Sequence, residues 1–176
     1  MSRKYRRLKS TYTEIQKFDQ WWLWAILIGV VCIPIYGLFQ QLILGQPFGS
    51  KPMSDWGLLL FFAGTLCFLA FFRYMELHTE IDTSGIRFRL RPISSEVFTW
   101  DQIEEVSLIS YGFVGYGLRF SPKYGTVYNT SGKRGLSIIL KNGGRFIIGT
   151  RDPEGVERQL LALKKAGIDI RINKNY

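Results

Sequence analysis

Residues 21–44 read WWLWAILIGVVCIPIYGLFQQLIL and residues 56–72 read WGLLLFFAGTLCFLAFF, and neither stretch contains a charged residue. At a rise of about 1.5 Å per residue the first is long enough to cross a hydrocarbon core of about 30 Å, and the second does so once Asp55 and Arg73 are counted as its interfacial ends. Working outward, the sequence predicts an α+β membrane protein in three parts. These are a basic cytoplasmic tail with a short interfacial helix (1–20), a transmembrane hairpin (21–75, with helices over 21–44 and 55–75), and a soluble cytoplasmic domain (76–176).

The flanks set the expected orientation. Arg3, Lys4, Arg6, Arg7, Lys9 and Lys17 precede the first apolar run and Arg73 closes the second, while the loop between them has only Lys51 against Asp55. An excess of Lys and Arg marks the cytoplasmic side, so both termini are expected inside, with those six tail residues near anionic headgroups. Trp21, Trp22, Trp24, Trp56 and Tyr74 stand where an aromatic belt belongs. The first run is too long for a signal peptide and no small-residue cleavage motif follows it. Thr11-Tyr12-Thr13-Glu14 has capping-box spacing, and Ile15, Phe18 and Trp22 recur at a helical interval, hence the expected interfacial helix.

Within the apolar runs there is no Asp, Glu, Lys, Arg or His, the set from which ion and proton paths are built, so anchoring is expected rather than conduction. Gly64, with Ala63 and Ala70, is the expected close-approach point of the two helices, and Pro34 and Gly37 the expected irregularity. Cys32 and Cys67, the only cysteines, lie inside these runs and read as small hydrophobes.

Past Arg73 the hydrophobic period drops to two. Leu77, Thr79 and Ile81 alternate with His78, Glu80 and Asp82; after Thr83-Ser84-Gly85, Ile86, Phe88 and Leu90 alternate with Arg87, Arg89 and Arg91. This is a hairpin with one buried face. Pairing Ile81 with Ile86 sets Glu80 opposite Arg87, His78 opposite Arg89 and Glu76 opposite Arg91, which gives the arginines structural partners. Further strands are expected over Glu96–Trp100, Ile103–Ser110, Tyr116–Phe120, Leu136–Lys141 and Arg145–Thr150, with Asn142-Gly143-Gly144 as a turn. Asp152-Pro153-Glu154 then opens a helix with an apolar stripe of Val156, Leu160, Leu161 and Leu163, ended by Gly167. Seven antiparallel strands closed by one amphipathic helix is the order of a pleckstrin-homology-like (PH-like) barrel.

The series Trp100-Asp101-Gln102-Ile103, Gly115-Tyr116-Gly117-Leu118-Arg119 and Gly143-Gly144-Arg145-Phe146-Ile147-Ile148-Gly149-Thr150, followed by Pro153 and a helix, resembles the PH-like domain of small, mostly uncharacterised bacterial inner-membrane proteins with two transmembrane helices before the domain. The resemblance implies a PH-like antiparallel barrel with a capping helix, in the cytoplasm of a bacterium. It implies no reaction and no functional residues.

No catalytic set can be assembled. His78 is the only histidine and lies on a strand among charges, so neither a Ser-His-Asp or Cys-His arrangement nor multi-histidine metal ligation is expected, and no cofactor is expected. Gly112, Gly115 and Gly117 have the wrong spacing for a phosphate loop and precede a strand. The informative stretch is Val106–Arg151, which carries Arg119, Lys123, Lys133, Arg134, Lys141, Arg145 and Arg151 without one Asp or Glu. Tyr111, Phe113, Tyr116, Tyr124 and Tyr128 are interleaved there with glycines, the makeup of adaptable aromatic contacts in a positive field. The alternative is that these cations pair with acids elsewhere in the domain. The expected function is a membrane-anchored, non-catalytic binding or scaffolding module of a membrane complex. Its expected protein partner contacts Tyr111, Phe113, Tyr116, Arg119, Lys123, Tyr124, Tyr128, Lys133 and Arg134. An anionic-lipid surface sensor is the alternative and an enzyme ranks last. Nucleic acid lacks any recognition motif, and no small-molecule substrate is indicated.

Overall fold

The computed structural model describes residues 11–111, 116–130 and 132–173. Arg3, Lys4, Arg6, Arg7, Lys9, Phe113, Gly112 and Gly115, singled out above, lie outside the described residues. The chain divides into two units, Phe18–Tyr74 and the combination of Met1–Lys17 with Met75–Tyr176.

The first unit is the helical hairpin. Helix α1 (Trp21–Leu38) runs into a π turn (Phe39–Ile43), and α2 (Asp55–Tyr74) returns. Both helices are long and apolar enough to cross a membrane. Only 22% and 11% of their most apolar windows are buried within the structure. The seam between them follows the heptad period: Leu27, Val31, Pro34 and Leu38 on α1, Leu58, Phe62, Thr65, Leu69 and Phe72 on α2. Large apolar side chains off the seam, among them Ile26, Ile33, Leu60 and Phe68, are exposed. Gly64 does not serve as the approach point: it faces open space, with Ala63 and Ala70 also exposed, because the seam chosen by the larger residues lies on another face. Gly37 does have a packing role, since a Cβ there would meet the Phe48 ring at 2.8 Å.

In the second unit, residues 12–17 form a strand, not the expected interfacial helix. Strand β1 (Tyr12–Lys17) pairs antiparallel with β2 (Glu76–Ile81), Tyr12 opposite Ile81 and Lys17 opposite Glu76. The carboxylate that would have closed the capping box is used elsewhere: Glu14 accepts from Thr150 Oγ1 at 2.7 Å and from the Arg151 amide at 2.8 Å. Gln16 is fully buried, donating to the Gly149 carbonyl at 2.7 Å and accepting from Thr130 Oγ1 at 2.8 Å. Residues 12–17 therefore belong with the β-rich unit and do not form a helix leading into α1.

Strand β3 (Gly85–Arg91) pairs β2 in the expected register, with Ile81 opposite Ile86, Glu80 opposite Arg87, His78 opposite Arg89 and Glu76 opposite Arg91. Strand β4 (Ser94–Thr99) completes a four-stranded sheet in the order β1-β2-β3-β4. The second sheet holds β5 (Ile103–Ser110), β6 (Gly117–Ser121), β7 (Gly125–Asn129), β8 (Arg134–Leu140), β9 (Arg145–Gly149) and the short β10 (Ile172–Asn173), in the order β10-β5-β8-β9-β7-β6. The described strands form two sheets, with no closed barrel. They are not all antiparallel either, since β7 runs parallel to β9 and β10 parallel to β5.

The alternating residues of the two inner faces make the main core. Phe88 meets Tyr128 and Phe98 meets Phe146, each at 4.7 Å between ring centroids, above fully buried Leu77, Ile81, Ile86, Leu90, Leu136 and Ile138. Helix α3 (Pro153–Lys165) begins as its sequence dictates, with Asp152 Oδ1 accepting from the Gly155 amide at 2.8 Å and Pro153 in the first turn. A Cβ on Gly155 would strike the Asp152 carboxylate and the Tyr12 ring, so this turn requires glycine. Val156, Leu160 and Leu163 are buried and Gln159 donates to the Ile81 carbonyl at 3.0 Å. Leu161, expected in the stripe, points outward because its position lies about 100° around the helix from Leu160.

Candidate functional site

The outer face of the four-stranded sheet carries its charges in pairs. Glu76 is the hub: its carboxylate lies 2.9 Å from the Arg91 guanidinium, 2.8 Å from His78 Nε2 and 3.9 Å from Lys17 Nζ. The hydrogen bond from His78, with Arg91 and Lys17 behind it, holds the Glu76 carboxyl below its ordinary value. Arg87 pairs with Glu80 at 3.3 Å and with Asp82. Burial alone would raise Asp82, but Ser84, whose hydroxyl and amide both bond the carboxylate, and Arg87 together keep it low. A shallow depression of about 150 Å³ on this face is lined by His78, Glu80, Arg87, Arg89, Arg91 and Ser95, among others.

The six-stranded sheet differs. Arg119 is exposed at the middle of β6, Lys123 is exposed in the β6–β7 turn with Nζ 5.0 Å from the Tyr124 ring centre, and Lys133 and Arg134 are exposed at the start of β8. Among the described residues no carboxylate lies within ion-pair distance of any of these four. Arg151 is placed otherwise, its guanidinium donating to the Lys17 carbonyl at 2.8 Å beside β1.

The expected contact set is divided by the register. Gly117 stands opposite Asn129 and Gly135 opposite Gly149, whereas Ser121 stands opposite Gly125 and Ile139 opposite Arg145. Lys133 and Arg134 are therefore at one end of the sheet and Lys123 at the other, with Arg119 between. The aromatic part needs correction. Tyr111 and Tyr128 are buried core residues, not surface contacts. Tyr128 fills the space between the sheets, its hydroxyl 3.1 Å from Ser94 Oγ. Tyr111 packs on Val127 and Ile147 on the opposite face, with Ile109 and Tyr124 against it, because Gly135 and Gly149 leave room for its ring. Burial pushes the Tyr111 phenol up to about 12. Tyr116 and Tyr124 are half-buried.

Two apolar side chains that the sequence placed only in a strand prove to be exposed. Leu118 is 39% and Phe120 81% accessible, alternating with Arg119 along β6, the end strand of its sheet. Leu118 and Phe120 are the signal, but their exposure follows from strand order, which local periodicity does not carry. The exposed set is thus Leu118, Arg119, Phe120 and Lys123 on one edge, with Lys133 and Arg134 apart from it. No group of three or more His, Cys, Asp or Glu that could hold a metal ion occurs among the described residues. No protein-family model matches this chain, and no curated protein matches it.

Proposed function

We propose that this chain is a membrane-anchored, non-catalytic binding module, an accessory component of a membrane protein complex. Its hairpin fixes position in a bacterial inner membrane, and a cytoplasmic domain of PH-like design holds a protein neighbour. The observation that carries this reading is the contrast in charge pairing: Arg87 and Arg91 of the four-stranded sheet are matched by carboxylates, while Arg119, Lys123, Lys133 and Arg134 have none within ion-pair distance among the described residues, and Arg119 and Lys123 stand beside exposed Leu118 and Phe120. Unmatched positive charge beside exposed apolar surface suits an acidic protein surface. The PH-like design is supported by strand-rich sheets followed by an amphipathic helix seated on the core.

Both helix ends on one side of the membrane is supported by the pairing of β1, which precedes α1, with β2, which follows α2. The basic residues around those ends make that side the cytoplasm. Cysteines at Ser50 and Ser84, in a background lacking Cys32 and Cys67, test this: an impermeant reagent on intact cells labels Ser50→Cys, and Ser84→Cys only after lysis. Equal labelling before lysis removes the orientation.

Co-purification in mild detergent tests the module itself. A stoichiometric protein partner is expected with the unaltered chain, and it is lost when Arg119 and Lys123, or Lys133 and Arg134, are changed to Glu. A chain that purifies alone and floats only with anionic vesicles refutes the reading.

A further inference from the structure

Four strands end the two sheets, and three of them are short or have side chains tied to other parts of the unit. β1 has its side chains engaged with residues 149–152, β10 has two residues, and β4 has Phe98 and the Ser94 hydroxyl tied to the opposite sheet. β6 is different. It is five residues long and antiparallel to β7 on one side, and no described strand lies on its other side. A strand in this position presents unpaired backbone donors and acceptors in a row, the template for adding a further strand. Its side chains alternate exposed apolar, cationic and exposed apolar at Leu118, Arg119 and Phe120.

We propose that β6 accepts an extended acidic segment of a protein partner as an additional strand of the six-stranded sheet. This rests on the binding-module reading and names how the partner is held. On one face, apolar residues of the incoming segment pack on Leu118 and Phe120. On the other, a carboxylate stands beside Arg119, and a second reaches Lys123 in the adjoining turn. Arg119 Nε donates to the Tyr116 carbonyl at 3.2 Å and Lys123 lies over the Tyr124 ring, and because no Asp or Glu occurs from Val106 to Arg151, a carboxylate for either cation comes from outside this stretch. A second copy of this chain is the wrong occupant. Two β6 strands paired antiparallel with Leu118 against Phe120 set Arg119 directly opposite Arg119, and like charges in that position destabilise a strand pair. The same arginine that repels a copy selects an acidic strand, a common way of guarding an edge.

The test uses the full chain in neutral phosphatidylcholine nanodiscs and a fluorescent synthetic peptide of about eight residues, a common strand length, alternating valine and glutamate. Two controls replace every glutamate by lysine, or the central valine by proline, which lacks the N–H a ladder needs. The acidic peptide is expected to bind, and the lysine and proline peptides to bind at least about tenfold more weakly. Arg119→Glu should weaken the acidic peptide by a similar factor and improve the lysine peptide while leaving the unfolding midpoint unchanged. Equal binding of the acidic and proline peptides, or equal binding of the acidic peptide by Arg119→Glu, overturns strand addition. So does a dye on Ser121→Cys that shifts to the blue in phosphatidylglycerol nanodiscs without peptide, since the edge then belongs to a lipid surface. The two readings fail separately. A partner released by changes at Lys133 and Arg134 but indifferent to Arg119→Glu leaves the module standing and removes the strand. A peptide that binds β6 in a chain with no stoichiometric partner leaves the strand and removes the complex.

Discussion

On the outer face of the four-stranded sheet every arginine but one stands against a carboxylate: Arg87 with Glu80 and Asp82, Arg91 with Glu76, and Arg89 between them opposite His78. On the six-stranded sheet Arg119, Lys123, Lys133 and Arg134 stand without one among the described residues. The two sheets share a core and a chain but follow different rules. A cation placed opposite an acid in the same hairpin is satisfied by local sequence, and contributes to the fold modestly. A cation set in a stretch free of acids adds little to the fold, and its field is directed outward. The difference teaches where to look for recognition: at the charges that structure leaves unmatched, whatever their local density.

The largest effect should come from the element both sheets share. Helix α3 buries Leu160 completely, and Leu160→Ala should cost about 2–5 kcal/mol, lowering the denaturation midpoint of the β-rich unit as a whole. Loss confined to one sheet, followed by hydrogen exchange, would show that the two sheets do not share their stability through this helix.

Next comes the charged hub of the four-stranded sheet. The folded state holds Glu76 below the usual carboxyl value of 4.5, so its contribution is fully present above that pH and is lost as pH falls through the lowered folded value. Glu76→Gln should therefore flatten the acid limb of the stability profile, and an unaltered limb would remove Glu76 from its control. The smallest effects set like substitutions side by side. Arg87→Glu, which places a third acid beside Glu80 and Asp82, should cost about 1 kcal/mol. Arg119→Glu should stay within about 0.5 kcal/mol of the unaltered chain. Equal losses at both positions would erase the distinction between the sheets.

The parts of this fold legible in sequence are those whose partners are near in the chain. The β2–β3 register followed from alternation around Thr83-Ser84-Gly85, and α3 from Asp152 and Pro153 at its start. β1 suits either helix or strand locally, since its six residues, with one threonine, overlap the capping-box spacing of Thr11 and Glu14. What decides is β2, which lies beyond both apolar helices. β7 reads GTVYN, a short run between turn residues that gives little alternation to recognise, and although β6 pairs with it locally, its other neighbour β9 is reached only after β8 has passed. The candidate site suffered from the same cause. Tyrosines among glycines resemble a contact loop, yet Tyr111 lies on Gly135 and Gly149 of strands further along the chain. Phe120 became visible only once β6 was known to end its sheet.

The pairing of β1 with β2 has a consequence for synthesis. Fifty-eight residues separate Lys17 from Glu76, so at about 5–20 residues per second β1 leaves the ribosome some 3–12 s before its partner strand exists. If the hairpin is inserted as it is made, as the proposed membrane anchoring implies, it enters the bilayer in that interval. A hairpin inserted with only one helix across would strand β1 and β2 on opposite sides of the membrane, and the sheet could not form. Under the membrane-anchored reading proposed above, folding of the β-rich unit doubles as a checkpoint on insertion, since β1 and β2 can pair only when both helices have crossed.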